Sequence, residues 1–188
     1  MIPAIFLDRD GVIIKNRSSY IRDWSQVVFY KRSLITLSNL SDTAYKIVLV
    51  TNQSAVGRGL ISTFAAQEIN QRIVAEIEET GGRIDGVFMC PHHPDEHCSC
   101  RKPKPGLLFE AADVMAIDLE RSILIGDAIS DLQAGQNAGL AKTILVLTGR
   151  GRSQLQQKTI TTLQPFMVFQ SLWHAVNHSE SWLPQVNF

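Results

Sequence analysis

The chain has no excess of charge of either sign: 18 basic and 18 acidic side chains among 188 residues give a formal net charge of zero. A protein that binds nucleic acid through its phosphates needs a basic surplus to displace counterions, so that class is set aside. Long apolar runs are also missing, and none approaches the roughly 20 residues of a membrane span. The stretch from Met1 to Asp8 has no basic leader and meets an acid early, unlike a secretory signal. A cytoplasmic protein with no membrane or nucleic-acid partner is therefore expected. Cysteine is scarce, with three residues, all between Cys90 and Cys100. A secreted disulfide scaffold spreads an even number along the chain, so metal binding fits these three better.

Hydrophobic residues make up 45% of the chain, enough for a sizeable core in a single domain spanning residues 1–188. Short apolar runs alternate with longer helical patterns. Ala4–Leu7, Lys46–Thr51, Ile84–Met89, Arg121–Gly126, Lys142–Leu147 and Phe166–Phe169 read as strands. Continuous β-branched and aliphatic runs suit strands buried on both faces, as in a parallel sheet. Phe64–Thr80 carries Ile69, Ile73 and Ile77 at helical spacing, with Ser62 or Thr63 to cap it and Gly81-Gly82 to stop it. A second helix follows Pro105-Gly106, with Leu108, Ala112 and Met115 as its inner stripe. A third opens at Ser130 with Gln133 as a capping box and ends near Gly139. The tail from about Gly151 to Phe188 is less patterned, with a last helix over Leu172–Val176. The expected fold is α/β, a doubly wound, Rossmann-like parallel sheet.

In such sheets ligands gather at the carboxyl ends of the strands. Three proposed strands end in reactive polar groups: Asp8-Arg9-Asp10-Gly11, Thr51-Asn52-Gln53-Ser54, and Gly126-Asp127 with Asp131 beyond. Asp8 and Asp127 suit one hard cation such as Mg²⁺, which takes one or two carboxylates and keeps several waters. An aspartate beside that cation is a nucleophile toward phosphorus. Asp10 is placed to serve as acid for the leaving alkoxide and base for the later water. The Thr51 hydroxyl and Asn52 N–H suit phosphoryl oxygens, and Arg101, Lys102 or Lys104 supply positive charge.

In this order the motifs resemble the four signatures of the haloacid dehalogenase superfamily of phosphatases. The insert from Cys90 to Pro103 is similar to that of the heptose-bisphosphate phosphatase and histidinol-phosphatase branch. The likeness runs from about Ile5 to Gly149. It implies Asp8 as nucleophile, Asp10 as general acid/base, and Mg²⁺ on Asp8, the Asp10 carbonyl and Asp127. It implies Thr51 and Lys102 on the transferring phosphoryl group, Asn52, Gln53 and Ser54 lining the phosphate site, Arg101 recognising substrate and Asp131 orienting the site. Asn16–Tyr20 matches a substrate-facing loop loosely. Ala128 stands where members often carry a basic residue after Gly-Asp.

Cys90, His92, Cys98 and Cys100 form the Cys₃His set of a closed structural zinc site in a loop of about residues 90–100, with His93 and His97 as alternatives to His92. The loop has few apolar residues, so metal supplies its folding energy and fixes where Arg101 and Lys102 point. The signatures leave no room for a large cap. The expected activity is Mg²⁺-dependent hydrolysis of a small phosphorylated metabolite by a monomer. From the resemblance, a sugar bisphosphate of the heptose 1,7-bisphosphate type is favoured, with Arg58, Arg101, Lys102 and Lys104 as contacts for a second phosphate. Histidinol phosphate is the runner-up. A zinc-stabilised module that binds phosphate without catalysis is the rival from another class, but it predicts a broken nucleophile or acid, and Asp8 and Asp10 are both present.

Overall fold

The apolar runs become strands β1 (Ala4–Leu7), β2 (Lys46–Asn52), β3 (Gly86–Cys90), β4 (Ile123–Gly126), β5 (Lys142–Val146) and β6 (Met167–Phe169) in a computed structural model that describes residues 1–181. Residues 182–188, the end of the expected domain and tail, lie outside the described residues. All six strands pair in parallel, in the order β3-β2-β1-β4-β5-β6. β3 starts later than its apolar run at Ile84. There the Asp85 carboxylate accepts the Ile47 N–H at 2.8 Å, so a side chain meets β2 before the strand begins.

Between the strands lie α1 (Ser33–Leu40), α2 (Ser54–Gly57), α3 (Thr63–Glu79), α4 (Gly106–Met115), α5 (Ile129–Asn137), α6 (Gly151–Leu155) and α7 (Leu172–Asn177). Strand alternation divides the core in two. Ile5, Leu7, Ile47 and Leu49 face one way, toward α1, α3 and α7. Ala4, Phe6, Val48 and Val50 face the other, toward α4 and α5. Helices thus cover both faces, which makes the sheet doubly wound. Ile69, Ile73 and Ile77 of α3 are buried as their spacing requires, and the Ser62 hydroxyl caps that helix by accepting the Ala65 N–H. Each fully buried isoleucine contributes roughly 1.5–3 kcal/mol.

Two helical expectations are corrected. The inner stripe of α4 is Leu107, Leu108 and Ala111, with Ala112 and Met115 at its margin, because the first turn starts at Gly106 and rotates the face. The Ser130–Gln133 capping box does not form. α5 begins at Ile129, and the Asp131 carboxylate turns back to accept the Ala128 N–H at 3.0 Å. Where a cap domain would sit, the chain after β1 makes a short flap. Lys15 N–H donates to Val28 and Tyr30 N–H to Ile13, so Asn16–Ile21 loops over the ends of the strands.

Candidate active site

The strand order reverses direction between β1 and β4, and a crevice opens at that switch point, beyond the carboxyl ends of the strands. Leu7 pairs with Ile125, so Asp8 and Asp127 emerge from adjacent, hydrogen-bonded strands. The crevice, of about 550 Å³, is lined in part by Asp8, Asp10, Asn52, Gln53, Ser54, Arg101, Lys102 and Asp131. One carboxylate oxygen each from Asp8, Asp127 and Asp131 lies within 4.8 Å of the others. Three buried carboxylates this close repel one another unless cations intervene. Their hard oxygen donors fit a cation such as Mg²⁺.

Lys102 is the first such cation. It is 4% exposed, and its ammonium donates to Asp8 Oδ1 at 2.8 Å and Val50 O at 2.8 Å and pairs with Asp131 Oδ1 at 2.6 Å. All three of its donors are used. Burial works against its charge, but Asp131 and Asp8 outweigh burial and hold the ammonium above the usual lysine range. Burial pushes the Asp131 carboxyl up to about 6, with Lys102 opposing. Lys102 is aimed from its backbone by Asn52, whose side-chain amide donates to Lys102 O at 3.0 Å and accepts Lys102 N–H at 3.1 Å. Asn52, expected to line the phosphate site, is thus also the residue that aims Lys102.

Asp127 is met by groups the sequence reading did not single out. Its Oδ2 accepts from Asn16 Nδ2 at 2.6 Å and the Arg150 N–H at 2.8 Å, and its Oδ1 from Arg150 Nη2 at 3.0 Å. Burial, and then Asp8, raise the Asp127 carboxyl against the pull of Arg150. Gly11 and Gly149 permit this approach. Both have positive φ, 91° and 56°, and an added Cβ would stand 2.0 and 2.2 Å from Asp127 Oδ2. Asn16 lies in the loosely matched loop and Arg150 follows β5, far apart in sequence.

Asp10 is gripped by its neighbour. Arg9 Nε and Nη2 donate to its two carboxylate oxygens at 3.0 and 3.2 Å, and Gln53 Nε2 donates to Oδ2 at 2.8 Å. Gln53 also donates to the buried Thr51 hydroxyl at 2.7 Å, linking the first two strand ends. Arg101 reaches the crevice with Nη1 buried and without a hydrogen-bond partner. Arg58 and Lys104, expected at a second phosphate, are not among the residues lining the crevice, although Tyr20, beside Arg58, is. Arg58 lies 5.9 Å from the Tyr20 ring centroid, and Lys104 Nζ donates to His97 O. Arg17 and Arg150 line the crevice instead.

Beside the crevice, Cys90, His92, Cys98 and Cys100 converge. Their Sγ and Nδ1 atoms stand 3.6 Å apart for Cys90–Cys98 and Cys90–His92, 3.4 Å for Cys98–Cys100 and 3.2 Å for His92–Cys100. Tetrahedral zinc–thiolate bonds of about 2.3 Å imply edges of about 3.8 Å, so the set fits zinc with little movement. His93 instead caps a short turn, its Nδ1 accepting the Asp95 N–H at 3.2 Å. His97 stands outside this cluster. Gln53 N–H donates to Cys90 O at 2.8 Å and Gly57 N–H to Pro91 O at 2.7 Å, docking the loop on α2.

Residues 99–175 match the Hydrolase_like family model, described as HAD-hydrolase-like. A D-glycero-beta-D-manno-heptose-1,7-bisphosphate 7-phosphatase of Bordetella bronchiseptica is 38% identical over 153 residues, 81% of this chain and 85% of its own. A D-glycero-alpha-D-manno-heptose-1,7-bisphosphate 7-phosphatase of Photorhabdus laumondii is 34% identical, over 89% and 94%. Among solved structures, D,D-heptose 1,7-bisphosphate phosphatase from B. bronchiseptica, complexed with magnesium and phosphate, superposes with a TM-score of 0.88 at 33% identity, over 96% of this chain and 99% of that one.

Proposed function

Since the chain belongs to the haloacid dehalogenase-like hydrolases, we propose that it is a Mg²⁺-dependent phosphatase that removes the 7-phosphate of D-glycero-D-manno-heptose 1,7-bisphosphate. The observation that carries this reading is the buried constellation of Asp8, Lys102, Asp127 and Asp131 at the switch point, with Asp10 beside it.

Asp8, Asp127 and the backbone carbonyl of Asp10 would hold the cation. When bound it screens the carboxylates and the phosphoryl oxygens from each other. Lys102 holds Asp8 Oδ1 and leaves Oδ2 as the attacking oxygen. Oδ2 forms a bond to phosphorus as the ester P–O bond breaks, giving an aspartyl-phosphate. Asp10 gives its proton to the leaving sugar alkoxide, then takes one from the water that attacks phosphorus. That second attack releases inorganic phosphate and restores Asp8. The Thr51 hydroxyl, Asn52 and Ser54 bind the phosphoryl oxygens, and Gln53 ties Asp10 to Thr51. Arg17, Arg101 and Arg150 give the crevice a cationic rim suited to a second phosphate. The Cys90–His92–Cys98–Cys100 set would hold zinc and, through Cys100, the direction of Arg101 and Lys102.

Purified protein should release phosphate from heptose 1,7-bisphosphate far faster than from histidinol phosphate or fructose 1,6-bisphosphate. Asp8→Asn should fold normally, by circular dichroism, yet lose turnover, because an amide neither attacks phosphorus nor binds a hard cation well. Phosphate release by that variant at near wild-type rate would remove the covalent mechanism. A preference for histidinol phosphate would reassign the substrate.

A further inference from the structure

Arg9 is the largest fully buried side chain among the described residues, 2% exposed. Burying a guanidinium costs several kcal/mol unless its donors are paired. Here its donors are divided between two partners. Nε donates to Asp10 Oδ2 at 3.0 Å, Nη2 donates to Oδ1 at 3.2 Å and also lies 2.9 Å from Oδ2, and Nη1 donates to Asn70 Oδ1 at 2.6 Å. Asn70 is itself 3% exposed and sits on the buried face of α3, between Ile69 and Ile73. Its amide nitrogen makes one further contact, to Met89 Sδ at 3.5 Å. A polar residue in an isoleucine stripe is costly in itself, and Asn70 spends its strongest bond on Arg9.

We infer that Asn70 and Arg9 are positioning residues that set the orientation of the Asp10 carboxylate from behind, so that α3 and not the catalytic loop alone aims the general acid. The inference rests on Asp10 being the acid/base. A carboxylate held by one hydrogen bond rotates about its Cβ–Cγ bond; one held at both oxygens by a guanidinium shares the guanidinium plane. The plane of Arg9 is set in turn by Asn70, 61 residues away in the chain and on a helix packed by buried isoleucines. Gln53 completes the grip from the crevice side. An acid must lie within hydrogen-bond reach of its leaving oxygen, and a displacement of about 1 Å can cost roughly 10²-fold. Neither Arg9 nor Asn70 is itself among the residues that line the crevice or form the carboxylate cluster, and Arg9 meets that lining at Asp10.

The test compares two substrates on one set of variants. Heptose bisphosphate has a poor alkoxide leaving group that needs the acid; 4-nitrophenyl phosphate has a good one that does not. Asn70→Leu removes the acceptor while keeping an apolar helix face. Because Asp10 also serves as base in the second step, which both esters share, the rate compared is that of leaving-group release in a single turnover: it should fall about ten- to a hundredfold for the sugar ester and by less than about threefold for the aryl ester. Asn70→Asp restores an acceptor for Nη1 and should bring the sugar-ester rate back toward wild type. Arg9→Lys keeps the charge but loses the fork, and should repeat the selective loss should Asn70→Leu fold poorly. An equal loss on both esters, no loss on either, or a failure of Asn70→Asp to restore the rate would overturn the inference. Asp10→Asn is run alongside. If that variant shows no selectivity between the esters, the acid/base reading of Asp10 is what fails; if it does and Asn70→Leu and Arg9→Lys do not, the positioning role is what fails.

Discussion

Asp131 is a carboxyl pulled two ways, upward by burial and downward by Lys102, and burial prevails to leave it at about 6. An unfolded aspartate titrates near 3.9. Between about pH 4 and pH 6 the folded protein therefore holds a proton that the unfolded chain has lost. This group's contribution to stability falls as pH rises through that window and is flat above it, so Asp131 does not drive acid unfolding. Lys102 is shifted upward, so its contribution is complete at neutral pH and is lost only in strong alkali. The consequence in acid is functional. A protonated Asp131 no longer balances Lys102, whose ammonium then has Asp8 as its one remaining carboxylate partner beside the Val50 carbonyl. The rate constant kcat/KM should fall below about pH 6, and Asp131→Asn should flatten that limb at the low-pH level. Phosphate esters also titrate near 6, so the comparison of variant with wild type is the measurement that decides. An unchanged limb in Asp131→Asn would assign it to substrate. Asp8, Asp10 and Asp127 were legible in the sequence because each follows an apolar run. Asn16 and Arg150 were not, because their meeting at Asp127 is made by folding alone; neither sits in an acidic motif.

Among the elements, the cysteine loop carries the most specific expectation. It is tied to α2 by two backbone hydrogen bonds and reaches the crevice through Arg101 and Lys102. Cys98→Ser should remove zinc, measured by elemental analysis. It should also lower turnover, although no residue of the Asp8–Asp127–Asp131 cluster has changed. Loss of zinc with a full rate would show that the loop needs no metal to aim its cations. Legibility at this scale followed the strength of periodicity. α3 is legible because Ile69, Ile73 and Ile77 repeat at four-residue spacing over about two turns and Ser62 caps it. α1 escaped notice because its short, Ser- and Thr-containing pattern buries Ser33 and Thr36 as well as Leu37 and Leu40. The start of α5 was misread because Ser130-x-x-Gln133 mimics a cap, while the cap bond comes from Asp131, a residue also engaged with Lys102.

For the whole molecule, the doubly wound sheet followed from the alternation of runs and helices, and its order could not, because strand adjacency is decided by packing across the sheet. The two proposed metals sit on different supports and should behave differently. A cation held by few protein ligands exchanges readily, whereas four closed thiolate and imidazole ligands release zinc slowly. Brief EDTA treatment should abolish turnover, and added Mg²⁺ should restore it while zinc stays in the protein. Activity that survives EDTA would remove Mg²⁺ from the mechanism. The adjacency of β1 and β4 carries a further consequence. Leu7 faces Ile125 across a parallel ladder, and a slip of one residue would turn Asp8 to the opposite face of the sheet. Asp8 and Lys102 meet across 94 residues of chain, and Asn16 and Asp127 across 111. No partly assembled chain can bring these groups together. During refolding, turnover should therefore return in step with completion of the β1–β4 ladder and not with the earlier return of helix, so the first detectable phosphate release dates the closing of these long loops.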